Sequence, residues 1–152
     1  MKKILIGILL GVIASCNSDD NTESNESNKS IIGLWNRTKL ETISGSDEMT
    51  ILETDIPEND CENKDSFEFT SDGKYQSETY YIKDNECMID NSVSFNYEFN
   101  PTTNIIILKN LDGDDIANGE IEFVEEGIVL IAVGEDANGD GVDDIYKHYL
   151  VK

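Results

Sequence analysis

The chain is short of positive charge and of the residue types that most enzymatic chemistry needs. Eleven Lys and Arg stand against 32 Asp and Glu, a net charge of −21. Such a surface repels phosphate backbones and anionic head groups, which excludes nucleic-acid binding and docking on acidic membranes. Divalent cations and cationic partners are its natural company. The single histidine is His148, and the three cysteines form no Cys-x-x-Cys, so no zinc constellation can be assembled. Neither a Gly-x-Ser-x-Gly elbow nor a phosphate loop occurs. His148 has no Ser or Cys nucleophile near it in a recognised pattern and reads as a structural residue sharing a strand face with Tyr146 and Leu150. Glu125-Glu126 and Asp143-Asp144 are adjacent, and adjacent strand positions point to opposite faces, so neither is an acid–base pair. These absences lead us to expect a protein that is not an enzyme. Helical periodicity is also scarce, and no internal repeat is evident.

What is present begins at the N-terminus. Lys2 and Lys3 precede an apolar run, residues 4–14, too short to span a bilayer as a permanent helix. Residues 1–15 therefore read as a secretory signal. The run ends in Ile13-Ala14-Ser15-Cys16, which resembles the lipobox of bacterial lipoproteins. That resemblance implies that Cys16 carries a thioether-linked diacylglycerol and is the first residue of the mature protein, anchored to a membrane through its acyl chains at about 0.8 kcal/mol per buried CH₂. Loss of Lys2 and Lys3 with the signal would make the net charge two units more negative. Residues 17–30 contain no apolar side chain and read as a disordered acidic tether. Its Ser18-Asp19-Asp20 is similar to the acidic signal that exports lipoproteins of one Gram-negative phylum to the outer face of the outer membrane. Cell-surface exposure is the expectation, with a periplasm-facing lipoprotein as the alternative.

Lipidation of Cys16 leaves an even pair of cysteines in an oxidising compartment, so Cys61 and Cys87 are expected to be joined. A disulfide of this span contributes roughly 3–4 kcal/mol in the chain-entropy model.

Residues 31–152 are one domain of ordinary size with one core. Alternation of period two runs through it. In residues 92–99, Val93, Phe95, Tyr97 and Phe99 point one way while Ser92, Ser94, Asn96 and Glu98 point the other. Similar runs cover 34–43, 65–70, 74–83, 104–109, 119–124, 127–133 and 144–151. They are separated by turn sequences such as Ser71-Asp72-Gly73, Asn100-Pro101-Thr102-Thr103 and Asp112-Gly113-Asp114. A helix is expected only at 47–54. The fold class is all-β: an antiparallel meander of about eight strands, closed into an up-and-down β-barrel or folded into a β-sandwich.

Ile31-Ile32-Gly33-Leu34-Trp35-Asn36-Arg37-Thr38 resembles the Gly-x-Trp opening of lipocalins and of shorter lipocalin-like lipoproteins. Residues 60–75, with Cys61 ahead of a hairpin on Asp72-Gly73, are similar to the lipocalin-like pattern as well. The resemblance implies a barrel whose narrow end is closed by Gly33 and Trp35, with a basic residue of the last strand, Lys147 or Lys152, over the Trp. It also implies a small apolar or amphipathic ligand inside. A Thr-Asp-x-x-x-Tyr motif is missing, and an eight-stranded barrel can equally be filled by its own side chains. The alternative is therefore a structural or interaction lipoprotein that meets a protein or glycan at the cell surface.

One motif points to a metal. Asp136-Ala137-Asn138-Gly139-Asp140-Gly141 matches the first half of a calcium loop, in which alternating oxygen side chains on a tight turn converge on one hard cation. Asp136, Asn138 and Asp140 would be side-chain ligands and Val142 would offer its carbonyl. The twelfth position is Lys147, so Asp143 or Asp144 must replace the bidentate Glu of an EF-hand. By contrast, Asp112-Gly113-Asp114-Asp115 reads as a solvated turn.

Overall fold

The computed structural model describes residues 30–152. The signal sequence, Cys16 and the tether up to residue 29 lie outside the described residues. Nine antiparallel strands follow in order: β1 (Gly33–Ile43), β2 (Ile51–Asp55), β3 (Ser66–Phe69), β4 (Lys74–Lys83), β5 (Glu86–Asn100), β6 (Ile105–Lys109), β7 (Asp115–Val124), β8 (Gly127–Val133) and β9 (Ile145–Val151). One 3-10 turn, Glu62–Lys64, precedes β3. Strand β1 pairs with β3, each strand from β3 to β8 pairs with its successor, and β9 returns to β1, so eight strands close into an up-and-down barrel. The ninth, β2, is added on the outside of that closure. It pairs with the C-terminal half of β1, on the edge that β3 occupies in the N-terminal half. Closure, rather than a sandwich, leaves the meander without two free edges.

The helix expected at 47–54 is not formed. The Asp47 carboxylate accepts the amides of Met49 and Thr50 and the Thr50 hydroxyl, and the Thr50 carbonyl accepts the Ser44 amide. Asp side chains compete in this way for backbone donors that a helix would need. The chain turns back and runs as β2 instead. Elsewhere β1, β5 and β7 extend beyond the predicted runs, β4 and β8 match them, and β3, β6 and β9 are one or two residues shorter. Asp84 and Asn85 both have positive φ, the requirement of a two-residue turn matched to strand twist, so β4 and β5 run as one long hairpin from Lys74 to Asn100.

Register shows what fills the barrel, because residues paired across antiparallel strands share a face. Trp35 pairs with Phe67, Phe67 with Ser77 and Ser77 with Val93; Phe69 pairs with Tyr75 and Tyr75 with Phe95. Phe99, Ile106, Gly119 and Ala132 continue the inner face, as do Ile121, Leu130, His148 and Leu40. The core gathers Ile31, Trp35, Phe69, Ile106, Ile121, Ile128 and Leu150, all at one end of the barrel. Cys61, in front of the 3-10 turn, is bonded to Cys87 on β5, with a Cα–Cα distance of 5.5 Å. The bond ties the segment before β3 to the outer part of the β4–β5 hairpin.

Candidate functional site in the barrel interior

The narrow end is sealed by the Gly-x-Trp segment. The Trp35 indole N–H donates to the carbonyl of Ile31 at 2.7 Å, folding the chain's entry across the barrel floor. Lys152, at the end of the last strand, lays its Nζ 4.5 Å from the Trp35 ring and donates to the carbonyl of Ile32. Gly33 sits at φ 137°, and a Cβ there would stand 3.1 Å from Lys152 Cε. Glycine is needed for both the backbone and the lysine. Lys147, by contrast, pairs in register with Glu41 and Ile131 on the outward face. The cation over Trp35 is thus Lys152, and Lys147 does not take part in closure. The cause is parity: Lys147 is one residue from the inward-facing His148.

The opposite end is open. Inward-facing Ser77, Thr79, Val93, Phe95, Leu108, Leu130 and Ala132 are only half-buried, and Asn91 and Ala117 are exposed. Small residues at Ala117, Gly119 and Ala132 leave space that the facing Leu108, Leu130 and Tyr75 do not fill, and an apolar cavity of about 50 Å³ results, its wall reaching Phe69 and Ile106 of the core. It is larger than the ~30 Å³ share of one liquid water and well below the ~300 Å³ of a drug-sized pocket. A larger crevice, about 380 Å³, lies outside the barrel floor between Ile31, Ser71, Tyr97 and Pro101.

Between the sealed and open halves lies a polar cluster. Arg37 faces inward two residues after Trp35, and its guanidinium donates to the Asp65 carboxylate at 2.6 Å, with Asp55 at 3.3 Å. Asp65 also accepts the amide of Tyr80 at 2.7 Å. Burial raises the Asp65 carboxyl above the usual range, against the pull of these hydrogen bonds and of Arg37. His148 lies beside them, its ring 5.2 Å from that of Phe67. Burial, with a smaller push from Arg37, lowers its pKa to about 4, so it is neutral at physiological pH. Arg37 Nε and His148 Nδ1 are both buried without a hydrogen-bond partner. Unsatisfied buried polar groups cost free energy, and here two of them face one interior. The reading of His148 as a satisfied structural residue holds for its place in the core wall but not for its Nδ1, which lacks a partner. The Arg37–Asp65 pair escaped the sequence reading, although parity carried the signal: Arg37 is two residues from Trp35 and Asp65 two from Phe67.

The acidic loop between β8 and β9 sits at the open rim. The Asp136 carboxylate accepts the amides of Gly139, Asp140 and Gly141, and these, led by Gly141, lower its pKa. The Asn138 side-chain oxygen Oδ1 accepts the Asp140 amide, and the Asp140 carboxylate accepts the Val142 amide. Asp144 is fully buried, its two oxygens accepting the amides of Gly45 and Ala137. A Cβ on Gly45 would stand 1.9 Å from the carbonyl of Asp143, so this loop and the β1–β2 loop pack backbone to backbone. Asp143 is exposed. Among the described residues no group of three or more His, Cys, Asp or Glu side chains is gathered in a metal-holding arrangement. The residues singled out for calcium share one loop, but the side-chain oxygens of Asp136, Asn138 and Asp140 accept that loop's own amides, and Asp144 accepts one amide of the loop and one of Gly45. The Asp112–Asp115 segment is a turn, with Asn110 bonded to Asp114.

A family model described as a lipocalin-like domain matches residues 31–127. That span runs from the floor-sealing Ile31 to the first residue of β8, and β8 and β9 complete the barrel beyond it. No curated protein and no solved structure matches the chain.

Proposed function

Since the chain belongs to the lipocalin-like domain family, we propose that it is a non-enzymatic carrier whose barrel takes up a small apolar or amphipathic ligand through the open end. The observation that supports this reading most is the half-buried apolar inner wall, Val93, Phe95, Leu108 and Leu130, beside the cavity at Ala117 and Ala132. Apolar surface left in contact with water is stabilised by an apolar guest at about 25 cal/mol per Å² covered. The cavity holds only the tip of such a guest, and the remainder extends toward the mouth. The carrier is a lipoprotein anchored through Cys16 to the outer membrane and exposed at the cell surface. Titration with the neutral apolar fluorophore N-phenyl-1-naphthylamine tests the ligand reading. Saturable emission enhancement is expected, lost in Ala132→Phe, which fills the cavity; no enhancement in the parent protein removes the reading. Mass spectrometry of the mature N-terminus tests the anchor.

The small cavity favours a second reading, in which the barrel is a solid scaffold and calcium stiffens the acidic loop through Asp136, Asn138, Asp140 and the Val142 carbonyl, with Asp143 or Asp144 completing the set. Its affinity would fall in the weak extracellular range of roughly 10⁻⁴–10⁻³ M. Thermal melts with and without millimolar calcium, repeated on Asp140→Ala, test it. A calcium-dependent rise confined to the parent supports it, and an unchanged melt in the parent rules it out.

A further inference from the structure

A closed barrel has no sheet edge, yet β2 adds a short one to this molecule. Each of the eight barrel strands has neighbours on both sides along at least part of its length; residues 79–83 of β4 pair only with β5, and residues 86–95 of β5 only with β4. By contrast, β2 pairs with β1 alone over its whole length, and no described residue pairs with its outer edge. Successive strand residues point to opposite faces, so Ile51 and Leu52 present apolar side chains to both, at 54% and 38% exposure. Met49 and Ile56 extend this apolar character beyond either end of the strand, and both are exposed. The charge around them is of one sign. Residues 46–62 carry Asp47, Glu48, Glu53, Asp55 and Glu58, among others, and no Lys or Arg. Asp55 is reached by Arg37 from inside the barrel, while Glu53 has no ion partner among the described residues.

We propose that the free edge of β2 is a docking site for an extended strand of a partner protein in which basic and apolar residues alternate. Main-chain hydrogen bonds to the open edge supply a ladder that any extended chain can use, and side chains decide which chain uses it. Ile51 and Leu52 offer apolar contact on each face, and Glu53 is free to meet a cation across the strands. The same features exclude a second copy of this chain. Pairing β2 with β2 brings one acidic strand against another, and like charges directly opposite are destabilising. Acidic residues on a short strand thus protect the edge against self-association and leave it open to a basic partner.

The test is amide hydrogen exchange on the mature protein with a heptapeptide of alternating Lys and Val as the probe. A second heptapeptide with Pro in place of Val has the same charge but cannot form the ladder. Exchange at residues 51–55 is expected to slow by roughly tenfold or more at saturation with the Lys–Val peptide, and not with the Lys–Pro peptide. Glu53→Lys, an exposed position, is expected to keep the parent's thermal unfolding and weaken the Lys–Val peptide roughly two- to fivefold, the scale of one cross-strand charge pair. Equal effects of the two peptides, protection located away from β2, or a free protein already dimeric with β2 protected would each overturn the proposal.

Discussion

At the narrow end of the barrel, Ile31, Trp35, Phe69, Ile121, Ile128 and Leu150 are each at most 5% exposed, while at the other end inward-facing Ser77, Thr79 and Val93 remain half-buried and Asn91 is exposed. Both ends are built on the same strands with the same parity. The difference lies in side-chain volume and in what crosses the opening. Below, the entering chain, held by Trp35 and Lys152, lies over aromatic and branched residues. Above, Ala117, Gly119 and Ala132 leave a gap of about 50 Å³ beside Leu108, Leu130 and Tyr75. Stability is therefore concentrated in one half and the capacity to accept a guest in the other, so substitutions in the two halves should separate folding from binding.

The largest expected effects belong to the sealed end. Trp35→Ala removes the indole and its bond to Ile31, and should destabilise the protein by about 3–5 kcal/mol in urea unfolding, the range for large aromatic truncations. Val93→Ala, at a half-buried site in the open half, should cost well under half of that; equal losses would break the contrast. The polar cluster at the boundary comes next. Asp65→Ala leaves Arg37 buried without its closest carboxylate and should cost roughly 3–5 kcal/mol, most of it recovered when Arg37→Met is added, because no uncompensated charge remains. Reduction of the Cys61–Cys87 bond should cost roughly 3–4 kcal/mol, felt in the segment before β3 and the outer β4–β5 hairpin rather than in the floor.

The pH dependence sharpens the same boundary. His148 has its folded pKa depressed from 6.5 to about 4, so between those values the unfolded chain binds a proton that the folded chain refuses. Its contribution makes stability fall as pH drops from about 6.5 to about 4 and level off below. Asp65 works with opposite sign, since its raised pKa favours the folded state at low pH. Replacing His148 with Gln should flatten the decline over pH 6.5–4, measured by unfolding at fixed urea; an unchanged slope would contradict the burial of a neutral imidazole. The smallest effect is expected for Lys152→Met, about 1 kcal/mol, from loss of a cation over an exposed edge of the Trp35 site.

Much of this architecture was legible in alternation. Val93, Phe95, Tyr97 and Phe99 do line the interior, and the turns at Gly73 and Gly113 fall where glycine was read as punctuation. Reading failed where a local hydrogen bond competes with propensity, as when Asp47 converts an expected helix into the turn before β2. It left the cation over Trp35 open between Lys147 and Lys152, and a count of one decides it, moving Lys147 outward and giving the ring to Lys152. The boundary cluster was hidden for a different reason. Strand parity places Arg37 inside, but whether a charge inside is tolerable depends on Asp65 arriving from another strand, and pairing between strands is not local information. Cavity volume is equally non-local, because Ala117 and Ala132 create space only through what faces them.

The most direct test of the central claim, that the open half accepts an apolar guest, is native mass spectrometry of the purified mature protein beside Ala132→Phe. The account predicts an additional bound mass of small-molecule size on the parent, released at high collision energy, and its absence from the variant with thermal stability retained. A parent protein that carries no added mass and gains none after incubation with long-chain alcohols or fatty acids would contradict it.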